Sequence, residues 1–125
     1  MRTAHSAALL LTAAAMFAVV AHAQPPIQPQ NDILVDQRGM TLYTFDKDDR
    51  NSGKSACYDA CATNWPPLEA DTNAKPEGDY SLIERDDGTK QWAYKGQPLY
   101  TFVKDTKPGD KTGDKVREVW HVVKP

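Results

Sequence analysis

Beyond residue 23 the sequence is poor in the residues that carry most catalytic and metal chemistry. It has one histidine (His121), one methionine (Met40) and two cysteines (Cys57 and Cys61). No Gly-x-Ser-x-Gly element is present, and nothing in the spacing places a nucleophile beside His121. Gly53-Lys54-Ser55 lacks the upstream glycine and strand of a phosphate-cradling loop. Covalent haem needs Cys-x-x-Cys-His, whereas the cysteines here are spaced Cys-x-x-x-Cys and Ala62 follows Cys61. With no catalytic constellation, no cofactor motif and no metal-ligand cluster, we read the chain as non-enzymatic and without a cofactor.

A surplus of positive charge is missing as well. Apart from Arg2, the only charged residue in the leader, 14 basic side chains stand against 17 acidic ones with the signs interspersed. A nucleic-acid footprint needs a basic face, so nucleic acid is set aside as a partner.

Past residue 23 no apolar run is long enough to span a bilayer, and the one long run precedes it. Arg2 supplies a positive start, Ala7 to Val20 an apolar stretch, and Ala21-His22-Ala23 a small-x-small cleavage site. That is the pattern of a secretory signal peptide over residues 1–23. Cleavage after Ala23 leaves 102 of the 125 residues, enough for one small domain. We expect a periplasmic or secreted protein with no transmembrane segment and, because no cysteine stands near the cleavage point, no lipid anchor.

What the sequence does contain is a repeat. The eleven residues from Arg38 to Asp48 return, 57 positions later, from Lys95 to Asp105. Seven of the eleven are identical: Gly, Leu, Tyr, Thr, Phe, Lys and Asp. Two copies imply two similar structural units, and one unit alone would bury too little apolar surface to stand by itself. We divide the chain into a flexible leader at 24–31 (Pro/Gln-rich) and a single domain at 32–125. Within the domain, repeat one spans 32–68, a polar linker 69–79 and repeat two 80–124.

Each copy reads as β structure. Asp32–Asp36 and Leu42–Phe45 read as a hairpin, with Tyr43 and Phe45 on one face and Leu42 and Thr44 on the other. Tyr80–Arg85, the turn Asp86-Asp87-Gly88, and Lys90–Tyr94 make a second hairpin, and Lys95-Gly96 turns directly into Leu99–Phe102. Val116–Val123 reads as a closing strand. Ser55 is placed to cap a short helix over Ala56–Ala62, ended by Trp65-Pro66-Pro67. Cysteines four apart on such a helix face the same side at a separation compatible with a disulfide. Trp65 reads as a plug over one end of the sheet. The fold class is mainly β, antiparallel, from two pseudo-symmetric repeats with one short helix near the cysteine pair.

The repeated segment resembles a bacterial family of predicted lipoproteins, or secreted repeats, marked by a Tyr-x-(aromatic)-x-x-Asp motif. Tyr43-Thr-Phe45-Asp-Lys-Asp48 and Tyr100-Thr-Phe102-Val-Lys-Asp105 both fit it, and Cys57…Cys61…Trp65-Pro66-Pro67-Leu68 and Trp120-His121-Val122-Val123 are similar to it too. The likeness covers roughly Ile33 to Lys124. It implies a small exported domain. Many relatives look like lipoproteins, whereas this leader lacks the lipid-accepting cysteine.

Four groups of residues are candidates for a site. Tyr43, Phe45 and Asp48, with Tyr100, Phe102 and Asp105, form either a structural lock, in which each aspartate ties down the loop after its strand, or the lining of a shared pseudo-symmetric pocket. Cys57 and Cys61 form a structural disulfide in an exported chain, or less conventionally a redox pair. Met40 and His121, with the cysteines, are the only residues a soft-metal site could recruit. The loop from Asp46 to Gly53 alternates oxygen-bearing residues as a calcium loop does. However, Arg50 fills a ligand slot, Gly53 falls late and no bidentate glutamate follows. The reading that results is a binding or interaction module of the cell envelope, with a partner or ligand still to be found. The alternative is a periplasmic redox or metal-handling protein.

Overall fold

The computed structural model describes residues 25–125; the expected signal peptide lies outside them. The strands are β1 (Ile27–Gln30), β2 (Ile33–Asp36), β3 (Tyr43–Phe45), β4 (Glu69–Ala70), β5 (Tyr80–Glu84), β6 (Lys90–Tyr94), β7 (Gln97–Pro98) and β8 (Trp120–Val122). One five-residue helix, α1, covers Ala60–Asn64, and a 3-10 turn covers Val116–Glu118. The fold is mainly β, with small antiparallel sheets and one short helix beside the Cys57–Cys61 disulfide.

The β5–β6 hairpin forms in the register its alternation dictates, from Tyr80 opposite Tyr94 to Glu84 opposite Lys90. Lys95 and Gly96 both take positive φ (48° and 82°), the pairing a tight hairpin turn requires, and return the chain along β6 as β7. A Cβ on Gly96 would fall 1.9 Å from the Asn51 side-chain oxygen and 3.0 Å from the Asn51 backbone nitrogen, so close approach of Asn51 as well as φ reserves that position for glycine.

Several local expectations differ from the structure. Residues 27–30 are not a loose leader: they pair with β2, because Asn31 and Asp32, both at positive φ, make a two-residue turn. Pro29 is tolerated because β1 is an edge strand. The segment 69–79 is not only a linker, since Glu69–Ala70 adds a strand to β6 and Ala74 is buried in the core.

The helix begins at Ala60, not Ala56, and Ser55 does not cap it. The amides of Ala56 and Cys57 are taken instead by Asp48 Oδ1 (2.6 Å) and Ser55 Oγ (3.0 Å), and the Cys57 carbonyl by the Arg85 guanidinium (2.5 Å). A helix starting at Ala56 would need the Cys57 carbonyl for the amide of Cys61, which donates to Tyr58 O instead. Cys57 therefore lies before the helix, bridged to Cys61 within it at a Cα separation of 5.2 Å. Finally, the closing strand is shorter than Val116–Val123, because Val116–Glu118 coils as the 3-10 turn.

The repeats interlock through their hydrogen bonds. In the first copy Leu42 N donates to Leu34 O, Leu34 N to Val123 O, and Val123 N to Leu42 O. In the second copy Leu99 N donates to Trp92 O, Trp92 N to Leu68 O, and Leu68 N to Leu99 O. The central strand of each copy is thus flanked by the tryptophan-bearing arm of the other: β3 pairs with β8, while Leu99–Val103 exchanges bonds with Asn64–Leu68, Thr101 N and Val103 N donating to Pro66 O and Asn64 O and Leu68 N donating to Leu99 O. The hairpin expected at 32–36 and 42–45 closes only at its neck, through the Val35–Thr41 bridge, before β3 leaves for β8. Where the copies meet, Tyr43 and Tyr100 pair with each other, N to O in both directions, at 2.8 and 3.0 Å.

Side-chain alternation along the central strands splits the interior in two. Leu42 and Leu99 enter one core with Leu34, Trp92 and Val123; Tyr43, Phe45, Tyr100 and Phe102 enter the other with Trp65, Trp120 and Cys57. The copies are buried alike: both leucines and both tyrosines are 0% exposed, both phenylalanines 8% and both aspartates 7%.

Candidate functional site

The motif residues come together, but not within a repeat. Tyr43 Oη donates to Asp105 Oδ2 and Tyr100 Oη to Asp48 Oδ2, each at 2.6 Å. Each aspartate uses its second oxygen on its own loop: Asp48 Oδ1 accepts the Ala56 amide, and Asp105 Oδ1 accepts the Thr112 amide and hydroxyl. Each tyrosine oxygen, its own proton spent, accepts a further bond, from Ser55 Oγ at Tyr100 (2.7 Å) and from the Gly113 amide at Tyr43 (3.2 Å). Among the described residues no buried side-chain nitrogen or oxygen lacks a partner. The arrangement is a pair of reciprocal locks, each binding one copy's strand to the other's loop.

Burial dominates the electrostatics of these locks. It drives both phenols well above their ordinary range, and the hydrogen bonds to Asp105 and Asp48 reinforce the shift. Burial also raises the carboxyl of Asp48, against the opposing pull of Tyr100, the Ala56 amide and Arg85. Arg85 is the residue that sequence reasoning passed over. It is 5% exposed, donates to Gln91 Oε1 (2.8 Å) and the Cys57 carbonyl, and lies 4.4 Å from the Tyr58 ring centre. Its only signal in the sequence is a charge at the end of a hairpin strand.

Around the locks stands an aromatic ladder. Phe45 stacks on Trp120 (4.2 Å, 12°), Trp120 on Trp65 (3.8 Å, 3°), and Trp65 on Phe102 (4.0 Å, 18°). Tyr43 meets Trp65 and Tyr100 meets Trp120 edge-on, at 5.3 and 5.2 Å. Trp65 is therefore not a terminal plug but one of two central rungs, and each tryptophan stacks on the phenylalanine of the other repeat. Such pairs contribute about 0.5–1.5 kcal/mol each beyond their buried area. Gly113 leaves room for the ladder, since a Cβ there would lie 2.7 Å from the Trp65 ring.

A cleft of about 540 Å3 opens along the ladder. All four stacked rings line it, together with Ala60, Cys61 and Asn64 of α1 and with Val116, Arg117 and Val119. Lys47 and Lys104 complete the lining. The volume is within the ordinary range for small-ligand pockets, roughly 300–1,000 Å3. The wall carrying Arg117 is strained: Lys115, Arg117 and Glu118 all take positive φ, at 66°, 51° and 61°.

The remaining candidates are placed elsewhere. His121 Nε2 lies 2.8 Å from Asp46 Oδ2 on the outer side of the β3–β8 pair, and Met40 sits in the turn after β2, its amide on Asp36. Among the described residues no group of three or more His, Cys, Asp or Glu side chains converges as a metal site would require. The oxygens of the loop at 46–53 diverge, Asp46 toward His121 and Asp48 into its lock. No helix among the described residues is long and apolar enough to cross a membrane.

No match is found among curated proteins or solved structures. The two-fold repetition does have a match: residues 30–69 and 81–124 each correspond to one copy of the Lipoprotein_15 family, described as a "Secreted repeat of unknown function", and the chain belongs to that family.

Proposed function

We propose that this secreted repeat protein is a non-enzymatic binding module of the extracytoplasmic space, and that the ladder cleft is its binding site. The observation that carries this reading is the cleft itself, a ligand-sized hollow lined by the four ladder rings and walled by α1 and the strained Val116–Val119 segment. The tyrosine–aspartate locks are then scaffold, because every polar atom in them is already satisfied within the protein. A leader cut after Ala23 delivers the chain to the periplasm or the medium; N-terminal sequencing of the exported protein should begin at Gln24.

The binding reading is tested by incubating the protein with an envelope extract of its own cells, repurifying it, and identifying what co-elutes by mass spectrometry. Wild type should retain a ligand saturably. An Ala60→Trp variant, which fills the cleft from its exposed wall, should retain none while melting at an unchanged temperature. Equal retention by both proteins would remove the cleft from consideration.

A redox role is the second reading, supported by one observation: Cys61 of the disulfide lines the same cleft. It requires the disulfide to open under mild reductant in the folded protein, which thiol labelling before and after reduction measures.

A further inference from the structure

The ladder exposes a particular part of its rings. Phe45 and Trp65 cannot share one face of Trp120, since two rings each about 4 Å from its centre would overlap; they cover opposite faces. Trp120 and Phe102 cover the two faces of Trp65 in the same way. A molecule entering the cleft therefore meets the edges of the two indoles and not their faces. Aromatic faces carry the negative part of the ring quadrupole and edges the positive part, so the floor of the cleft is mildly electropositive. A sugar or nucleobase, which would stack on a face, finds none free on either tryptophan.

The charged lining has the same sign. Lys47, Lys104 and Arg117 are exposed and line the cleft, and no Asp or Glu does. None of the three has a carboxylate within ion-pair distance among the described residues, where the ion pairs are Arg38–Asp36 and His121–Asp46. Here the repeat is informative. Of the seven residues identical between the copies, the leucine, tyrosine, phenylalanine and aspartate are held by burial and the glycine by its positive φ, while the threonine is buried at Thr44 and half-buried at Thr101. The lysine is exposed in both copies, so burial does not account for it. Each lysine follows by two residues a phenylalanine at one end of the ladder, so the two cations mark opposite ends of one strip of ring edges.

From this geometry we infer that the ligand is an elongated organic dianion, with an apolar body along the ring edges and one negative group at each lysine. The inference rests on the binding reading above and assigns its ligand class. Asn64 and Arg117 supply further donors in the walls.

The probes are biphenyl dicarboxylate, biphenyl monocarboxylate and neutral biphenyl dicarboxamide, titrated into the purified protein while the indole N–H resonances are followed by NMR. Trp65 and Trp120 line the cleft, and Trp92, in the other core, is the internal reference. The dicarboxylate should shift Trp65 and Trp120 saturably, leave Trp92 in place, and bind about fivefold tighter than the monocarboxylate, the scale of one exposed ion pair. The diamide should bind weakest, and added salt should narrow the gap. Lys47→Gln and Lys104→Gln, both at exposed positions, should each abolish the preference for the dianion without changing the melting temperature.

If monocarboxylate or diamide saturates the two indoles as tightly as the dicarboxylate, the dianion assignment fails while the cleft remains a binding site. The assignment fails in the same limited way if both lysine variants keep the preference. If no probe shifts Trp65 or Trp120 and the extract ligand is also absent, the binding reading falls with it.

Discussion

Tyr100 Oη sits between an aspartate that accepts its proton and a serine that donates to it, with Asp48 Oδ2 at 2.6 Å and Ser55 Oγ at 2.7 Å. Tyr43 repeats the arrangement with Asp105 and the Gly113 amide. Removing either hydroxyl leaves a buried carboxylate oxygen without its donor, so Tyr43→Phe and Tyr100→Phe should each cost about 1–3 kcal/mol in denaturant unfolding. The same geometry sets the alkaline limit. Both phenols ionise at higher pH in the folded protein than in the unfolded chain, where tyrosine titrates near pH 10. Their stabilisation is therefore whole below about pH 10 and declines above it, by up to ~1.4 kcal/mol per pH unit for each residue, as the unfolded chain releases protons that the native one keeps. Phenolate absorbance should show Tyr43 and Tyr100 ionising together with loss of fold; in the Tyr43→Phe/Tyr100→Phe protein that coupled step should vanish. Asp48 works in the same sense in the acid range: its raised carboxyl pKa means that the native state takes up this proton before the unfolded chain does as the pH falls, so this contribution too declines as the pH rises.

At the scale of elements, reciprocity is the distinctive property. A double-mutant cycle between Tyr43→Phe and Asp105→Asn should give a coupling of at least about 1 kcal/mol. The cycle between Tyr43→Phe and Asp48→Asn, residues of the same repeat, should be additive within about 0.5 kcal/mol. The reverse outcome would mean that the locks close within repeats. The disulfide is a local device. Its loop is so short that the chain-entropy model assigns it only about 2 kcal/mol, so a Cys57→Ser/Cys61→Ser protein should remain folded with its unfolding free energy lowered by that amount. The change should concentrate at α1, the wall of the cleft, and would be visible as faster amide exchange over residues 57–64.

For the molecule as a whole, the exchange of tryptophan-bearing arms means that neither repeat owns a complete core. Trp65 belongs to repeat one but stacks on Phe102 of repeat two, and Trp120 does the converse with Phe45. Residues 25–75 and 76–125, produced separately, should therefore each be unfolded at low concentration. Mixed in equal amounts they should regain the native circular dichroism and tryptophan signals. A fragment that folds alone as a monomer would contradict the interlocked core. The hydrogen-bonded exchange between Tyr43 and Tyr100, equivalent residues of the two copies, joins the halves of that assembly directly.

Several features were legible from residues alone because they depend on near neighbours. Alternation put Leu42 on one face and Tyr43 and Phe45 on the other; the Asp86-Asp87-Gly88 and Lys95-Gly96 turns set the register of β5, β6 and β7; four-residue spacing placed Cys57 and Cys61 within bonding reach. The β1–β2 turn was legible too, in Asn31-Asp32, but was masked by the surrounding prolines and glutamines. The helix start was not, because it depends on Arg85, 28 residues away, taking the Cys57 carbonyl that a helix from Ala56 would use. The sequence by itself determined that there are two copies of one strand-and-loop unit and which side chains each buries. Only the tertiary structure decided that Tyr43 reaches Asp105 and not Asp48, and that the two tryptophans stack on each other to floor a cleft between two lysines. The reason is physical: with identical motifs in both copies, partners within a repeat and across repeats are chemically equivalent, and only the path of the backbone distinguishes them.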